Sequence, residues 1–396
     1  MVTTEQADAL LKSFNLPVTT ETVSIELAYG RVLAEDVLAD RDQPPFDRVT
    51  MDGIAVRRKD LDEGLELFTV LGQQFAGDEP ALLTEVQGAA IETATGASLP
   101  LGADMVLPYE WLEREGDLCK LNRSAIGAKS NVHRRGNDLK QGEIALKADT
   151  LLGSAELAVA ASFGAMNLTV YALPKLAVIT TGNELVAVHE QPKPHQIRQS
   201  NATAITALLA EEKYSFKCFH LTDNKDDIRS KLKSLFNQFD VLIFSGGVSK
   251  GKHDHLPELL QEVGVKPLFH GVSQRPGKPM FCGTADTKIV FGLPGNPVSA
   301  FMCSVRYVLP WLNQQLRKKS VSSSAVLTCD HHFEPALTLF VPVKTKTIDG
   351  QVVATPVQGN GSGDFMQLAG ADGFLELDKE STTFEKGTAF PFYPFR

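Results

Sequence analysis

A chain of 396 residues is too long for one ordinary core and predicts roughly two to four domains. Hydrophobic residues at 43% and charged residues at 22% exclude the disordered and fibrous classes. The formal charge of -9 argues against a general nucleic-acid binder, because phosphate backbones are held by surplus Lys and Arg; any bound anion must be met locally.

The five cysteines (Cys119, Cys218, Cys282, Cys303, Cys329) are far apart and form no C-x-x-C pair, which favours reduced thiols. The start lacks a basic region followed by an apolar stretch, and no run of about 18 apolar residues occurs. These features predict a soluble, unexported, cytoplasmic protein with no membrane partner.

In chain order, "TTEQADALLKSF" predicts a capped helix, and "VSIELAYGRVLAEDVLA" a strand or turn feeding a second one. Pro44 and Pro45 then forbid regular helix and open a Gly- and Pro-rich stretch, read as an inserted, mostly β domain over 41–145. The flanking residues 1–40 and 146–173 form an amino-terminal and linking segment, with a helix expected over Ser154 to Phe163. Over 174–318, three aliphatic strands each run into a glycine-bearing loop: "LAVITTGNE", "DVLIFSGGVSKG" and "KIVFGLPGNP". Between them lie the helical stretches "NATAITALLAEEK" and "DDIRSKLKSLFNQF", so a parallel α/β sheet is predicted, with the three loops converging beyond its carboxyl edge. Residues 319–396 alternate again, with a hairpin signal at Asp349-Gly350, as in a small β-barrel or sandwich.

Several loops carry residues suited to chemistry. In "GLPGNPVSAF", Pro294 and Gly295 precede Asn296, which can N-cap a helix starting at Pro297 and so offer an anion site. In "SGGVSKGKHDHL", Gly246, Gly247 and Ser249 can cradle a phosphate. Gly246, Gly251 and Lys252 also satisfy most of a nucleotide phosphate loop, but His253 stands where Ser or Thr is needed and Pro257 interrupts the following helix. His253 and His255 make half a zinc site with no cysteine beside them. "RPGKPMF" sets Arg275 and Lys278 about a Pro-Gly turn, either a solvated turn or an anion clamp. Asp52, Asp138, Glu184, Asp223 and Asp254 each fall in a loop-like context, where a lone acid is ordinarily a turn or capping carboxylate.

Taken together, "PPFDRVTMDGIAV", "TGASLPLGADMV", "RRGNDL", "TTGNEL", "SGGVSKGKHDH", "RPGKPMFCG" and "GLPGNPVSA" resemble, in order and spacing, the MoeA family of molybdopterin molybdenumtransferases, to which the E domain of gephyrin belongs. The resemblance implies a multi-domain α/β protein with a parallel-sheet molybdopterin-binding domain, an inserted mostly-β domain, a linking segment and a carboxyl-terminal β-barrel. It implies insertion of molybdate into adenylylated molybdopterin with release of AMP and use of Mg2+. It further implies a homodimer whose cleft lies near the inserted domain of the other subunit, with a molybdopterin adenylyltransferase as substrate donor.

Carried over by position, the resemblance makes Asp52, Asp138, Glu184, Asp254 and, less closely, Asp223 catalytic candidates, with Asp52, Glu184 and Asp254 about the cation. Thr95 matches the threonine of the family's "TGA" motif. Gly246, Gly247, Ser249 and the Asn296 helix start would hold the pterin phosphate, with Arg275 and Lys278 neutralising charge and molybdate docking near Arg134 and Arg135. Arg275 stands where many members have lysine, Asn183 replaces a common aspartate, and "PALTLFVPV" lacks a common arginine. A non-catalytic dimeric scaffold and a nucleotide hydrolase are the rival readings; the intact acid set favours catalysis.

Overall fold

The computed structural model describes residues 1–122, 124, 129–222, 224–248, 256–318 and 323–396. By contact the chain divides into two compact units, one of Met1–Glu21, Gly30–Val32 and Thr169–Arg396, the other of Thr22–Tyr29 and Leu33–Leu168.

The second unit is built on a six-stranded sheet in the order Met105–Pro108, Gly53–Val56, Ala89–Thr93, Leu67–Gln74, Leu118–Leu121, Leu112–Glu115. All four residues of Gly53–Val56 are buried because the sheet is covered on both sides. Ile54 and Val56 pack with Phe68, Met105 and Leu107, whereas Ala55 packs with Val49, Leu99 and Val106. The helix Ser154–Ser162 forms as expected. The second helix expected from "VSIELAYGRVLAEDVLA" does not form. That stretch gives the strand Thr20–Ser24, a single 3-10 turn over Ile25–Leu27 and the two-residue strand Val37–Leu38, with Gly30 at φ +78° breaking the run.

In the first unit, the sheet order is Phe216–Leu221, Leu176–Thr181, Val241–Ser245, Lys288–Leu293, Phe281–Ala285, Lys266–His270. The first four strands are parallel; Phe281–Ala285 runs antiparallel to both of its neighbours, so the sheet is mixed. Every residue of Leu176–Thr181 and Val241–Ser245 is buried, the pattern of strands covered on both faces. On one face Ala177, Ile179, Leu242, Phe244 and Val290 meet Leu232 and Leu235 of the helix Lys225–Gln238 and Leu259 of Leu256–Glu262. Trp311 packs edge-on against Phe291 with ring centroids 5.5 Å apart. Full burial of one such aromatic side chain contributes about 1.5–3 kcal/mol. Caps delimit the helices where the sequence places them: Thr3 and Gln6 form a capping box on Thr4–Lys12, and Asn224 accepts from the N–H groups of Asp226 and Asp227.

The carboxyl-terminal strands close into a five-stranded barrel. Thr338–Ile348 pairs with Gln351–Pro356 and Gly373–Leu377, Gln351–Pro356 with Ser323–Leu327, and Ala389–Pro394 joins Ser323–Leu327 to Gly373–Leu377. Val341, Val343, Ala354, Leu375 and Leu377 fill it. The hairpin turn is Asp349-Gly350, with φ of 49° and 79° and the register closing at Ile348 opposite Gln351. Replacing Gly350 with Val puts a β-branched residue into left-handed backbone; chemical denaturation should show a loss of about 1–2 kcal/mol.

Candidate active site

The loops after Leu176–Thr181, Val241–Ser245 and Lys288–Leu293 open onto one cavity of about 800 Å³, bounded by Glu184, Gly246, Gly247, Pro294, Gly295, Asn296 and Pro297. Parallel strands deliver their following loops to the same edge, which is where an open α/β sheet binds ligands.

Gly246 and Gly247 sit at φ +97° and +73°. A Cβ on Gly247 would lie 2.9 Å from Thr181 Oγ1, so the two loops approach more closely than any side chain would permit. The Gly246 N–H, expected to meet a phosphate, donates instead to the Leu293 carbonyl at 3.0 Å and ties two of the loops together. Gly247 faces the cavity. Asn296 occupies the N-cap position of Pro297–Cys303, but its side chain makes no cap bond; its amide donates to Ser362 Oγ at 2.9 Å. The Val298 N–H donates to the Ser362 carbonyl at 3.1 Å, so this helix start is held by the chain itself rather than left open for an anion.

A second helix start borders the cavity, that of Ser200–Glu211, with Ser200 and Asn201 among the lining residues and no side-chain cap at Gln199. Its exposed N–H groups and dipole favour a negative group by about 0.3–1 kcal/mol. The Asn201 amide donates to Ser245 Oγ at 2.9 Å and the Gly295 carbonyl at 2.8 Å, joining the helix to two loops. Its Oδ1 is buried without a partner among the described residues. Leaving such an acceptor unmet costs about 1–3 kcal/mol, which a ligand N–H or O–H would recover. Arg198, also on the lining, adds a guanidinium. Sequence reading passed over Arg198, Ser200 and Asn201; the available signal was the polar Gln-Ser-Asn at the head of an otherwise apolar helix. Glu184 is exposed at the rim, folded back so that a Cβ on Gly182 would lie 2.6 Å from its carboxylate.

A second cavity of about 560 Å³ shares Pro279, Pro294 and Asn296 with the first and is bounded by Arg275, Lys278, His331 and Phe333. The Arg275 guanidinium lies 5.8 Å from the centre of the Phe333 ring.

Asp52, Thr95, Asp138, Arg134 and Arg135 belong to the other unit and are not among the lining residues of either cavity. Asp52 Oδ1 accepts from the Thr95 N–H at 2.8 Å and the Thr95 hydroxyl at 3.0 Å, which holds its pKa below the usual carboxylate value. Asp138 lies 2.8 Å from His133 Nε2. Arg134 pairs with Asp47 at 2.5 Å and Arg135 with Asp42 at 2.7 Å, so both guanidiniums are already engaged by carboxylates of their own unit. Docking of molybdate on them, as expected from sequence, would have to compete with those pairs. Asp223, Ser249 and Asp254 lie outside the described residues, as do Lys252, His253 and His255. Among the described residues no group of three or more His, Cys, Asp or Glu side chains is placed to hold a metal ion; Asp254, one of the three acids expected about the cation, lies outside them. No described helix is long and apolar enough to cross a membrane.

The fold and the site define a multi-domain α/β protein, with a polar, glycine-lined crevice at the carboxyl edge of its mixed sheet and a five-stranded barrel after it. Residues 2–164 match the MoeA N-terminal region (domain I and II), 177–314 a probable molybdopterin binding domain, and 324–395 the MoeA C-terminal region (domain IV). The chain belongs to the MoeA family. It is 38% identical over 377 residues to a molybdopterin molybdenumtransferase of Synechocystis, covering 94% of each chain. With that of Bacillus subtilis it shares 31% identity, over 93% of this chain and 88% of the relative. Two crystal structures of the Pyrococcus horikoshii moeA protein superpose with TM-scores of 0.82 and 0.83 at 31% and 27% identity, over 100% of this chain and 99% and 100% of theirs.

A carboxylate with a depressed folded-state pKa adds stability above its unfolded value of about 3.9 and loses it as pH falls through the folded value. Thr95→Val removes the hydroxyl donor but keeps the N–H. It should move the Asp52 pKa upward in a carboxyl-carbon NMR titration and shrink that contribution.

Proposed function

We infer that this chain is a molybdopterin molybdenumtransferase of molybdenum cofactor biosynthesis, inserting molybdate into adenylylated molybdopterin and releasing AMP. The observation that carries this reading is the convergence of three strand-end loops on a polar crevice, in a chain that follows its molybdenumtransferase relatives over nearly their whole length. Gly247 and the start of Ser200–Glu211 receive phosphate oxygens, while Arg198 balances their charge. The orphaned Asn201 Oδ1 accepts a hydrogen from the pterin. Arg275 and Lys278, across the shared Pro279 edge, neutralise the second anion.

Mg2+ fits a site with one or two carboxylates completed by substrate phosphates; Glu184, exposed on the cavity lining, is the described residue that would hold it. When bound, the ion supplies Lewis-acid polarisation of the phosphoanhydride. Glu184→Gln should lower AMP release roughly 10–100-fold in an assay with adenylylated molybdopterin, Mg2+ and molybdate. Reconstitution of a cofactor-free molybdoenzyme in the same mixture tests the product; neither AMP nor cofactor from the wild-type protein would refute the reading.

The chain works as a homodimer, which allows the acids of the inserted unit to act on a substrate held by the second copy. In support, the apolar helix Ser154–Ser162 buries only Ala160, while Leu27, Tyr29, Leu151 and Met166 are 72%, 57%, 49% and 74% exposed. A large exposed apolar surface of this kind ordinarily meets a partner. All five cysteines are unpaired, which suits the cytoplasm, and a molybdopterin adenylyltransferase would supply the substrate there. Mixing the impaired Glu184→Gln and Asp52→Asn variants should raise activity to about a quarter of wild type after subunit exchange, since half the dimers would each carry one intact site. No recovery would refute the shared site.

A further inference from the structure

Arg275 and Lys278 are exposed, and among the described residues neither makes an ion pair. What holds their turn in place lies beneath it. Gln274 is fully buried, and its Oε1 accepts from the Tyr307 hydroxyl, itself 1% exposed. Burial raises the Tyr307 pKa, so the phenol remains a donor. The other end of the Gln274 amide donates to Cys303 Sγ at 3.6 Å. Gly277, between the two cations, rests on this floor: a Cβ there would lie 2.6 Å from Cys303 Sγ and 2.7 Å from Gln274 Nε2. The turn is closed above by the Val272 N–H donating to the Lys278 carbonyl at 2.9 Å.

Tyr307 reaches Gln274 because Ser304–Val308 is a π-helical turn between Pro297–Cys303 and Leu309–Gln315, with all five of its residues buried. The wider turn lets two successive side chains point inward. Arg306 pairs with Asp8 at 2.8 Å and Glu376 at 3.2 Å, while Tyr307 bonds Gln274. The charged network anchors the turn on one side, and the tyrosine transmits that anchorage to the cations on the other.

We propose that Gln274 and Tyr307 are positioning residues that set the spacing of Arg275 and Lys278 as a clamp for an anionic substrate, an inference that rests on the function proposed above. Tyr307→Phe keeps the ring and removes one hydroxyl, leaving Gln274 Oε1 unpaired. It should raise the KM for molybdate or for adenylylated molybdopterin, measured separately, by about five- to tenfold at unchanged kcat. Gln274→Met cuts the same bond from the other side and serves if Tyr307→Phe does not fold. The double variant should be no worse than Gln274→Met alone. Tyr214→Phe is the control, since it deletes a comparable buried hydroxyl bond, 3.0 Å to Asn313 Oδ1, away from both cavities; its KM values should be unchanged. Unchanged KM values in Tyr307→Phe and Gln274→Met, or equal rises in Tyr214→Phe, would overturn the positioning role while Arg275→Ala and Lys278→Ala still raise KM. If those two also leave KM unchanged, the clamp itself fails, and with it the functional reading of this cavity.

Discussion

Burial of both faces of the central strands is the constraint on which the rest depends. Leu176–Thr181 and Val241–Ser245 have no exposed residue, so polar groups can emerge only where the strands end. Because these strands and Lys288–Leu293 run parallel, their ends coincide, and three loops distant in sequence become neighbours. Asn201 then bonds two of those loops to a helix start, and Gly246 bonds two loops to each other. The crevice is therefore a product of core packing, with the polar contacts refining its shape.

The features legible in the sequence were those with strong local chemistry. The aliphatic runs marked three of the strands, Asp349-Gly350 marked the barrel hairpin, and the glycine-rich loops marked the crevice. Phe216–Leu221 was missed because it lies at a sheet edge with a half-exposed, mixed composition, and Lys266–His270 and Phe281–Ala285 because neither is a continuous aliphatic run followed by glycine. Asn296 illustrates a deeper limit. Its type and position suit a cap, yet Ser362, 66 residues away, offers its side chain a competing partner. Propensity cannot foresee such a tertiary competitor. Asn201 is the converse: an unremarkable helix residue until Ser245 and Gly295 surround it.

Charge is distributed unevenly between the two units. In the inserted unit, Asp47, Asp42 and Glu92 take Arg134, Arg135 and Arg114, so its guanidiniums are largely answered at home. Exposed pairs of this kind contribute little to stability, typically about 0–1 kcal/mol, but they alter what remains to bind an anion. Arg198, Arg275 and Lys278 of the α/β unit border the cavities instead. A protein of net charge -9 thus places Arg198, Arg275 and Lys278 on the walls of these cavities, with Glu184 the acid beside them among the described residues.

The π-helical turn also makes the chain intolerant of a change in length. Removing one residue from Ser304–Val308 would favour an unbroken α-helix and rotate everything after the deletion by about 100° relative to what precedes it. Arg306 and Tyr307 could not then both keep their partners, and Trp311 would swing away from Phe291. Drift within this protein can exchange side chains along that helix far more readily than it can shorten the helix by a single step.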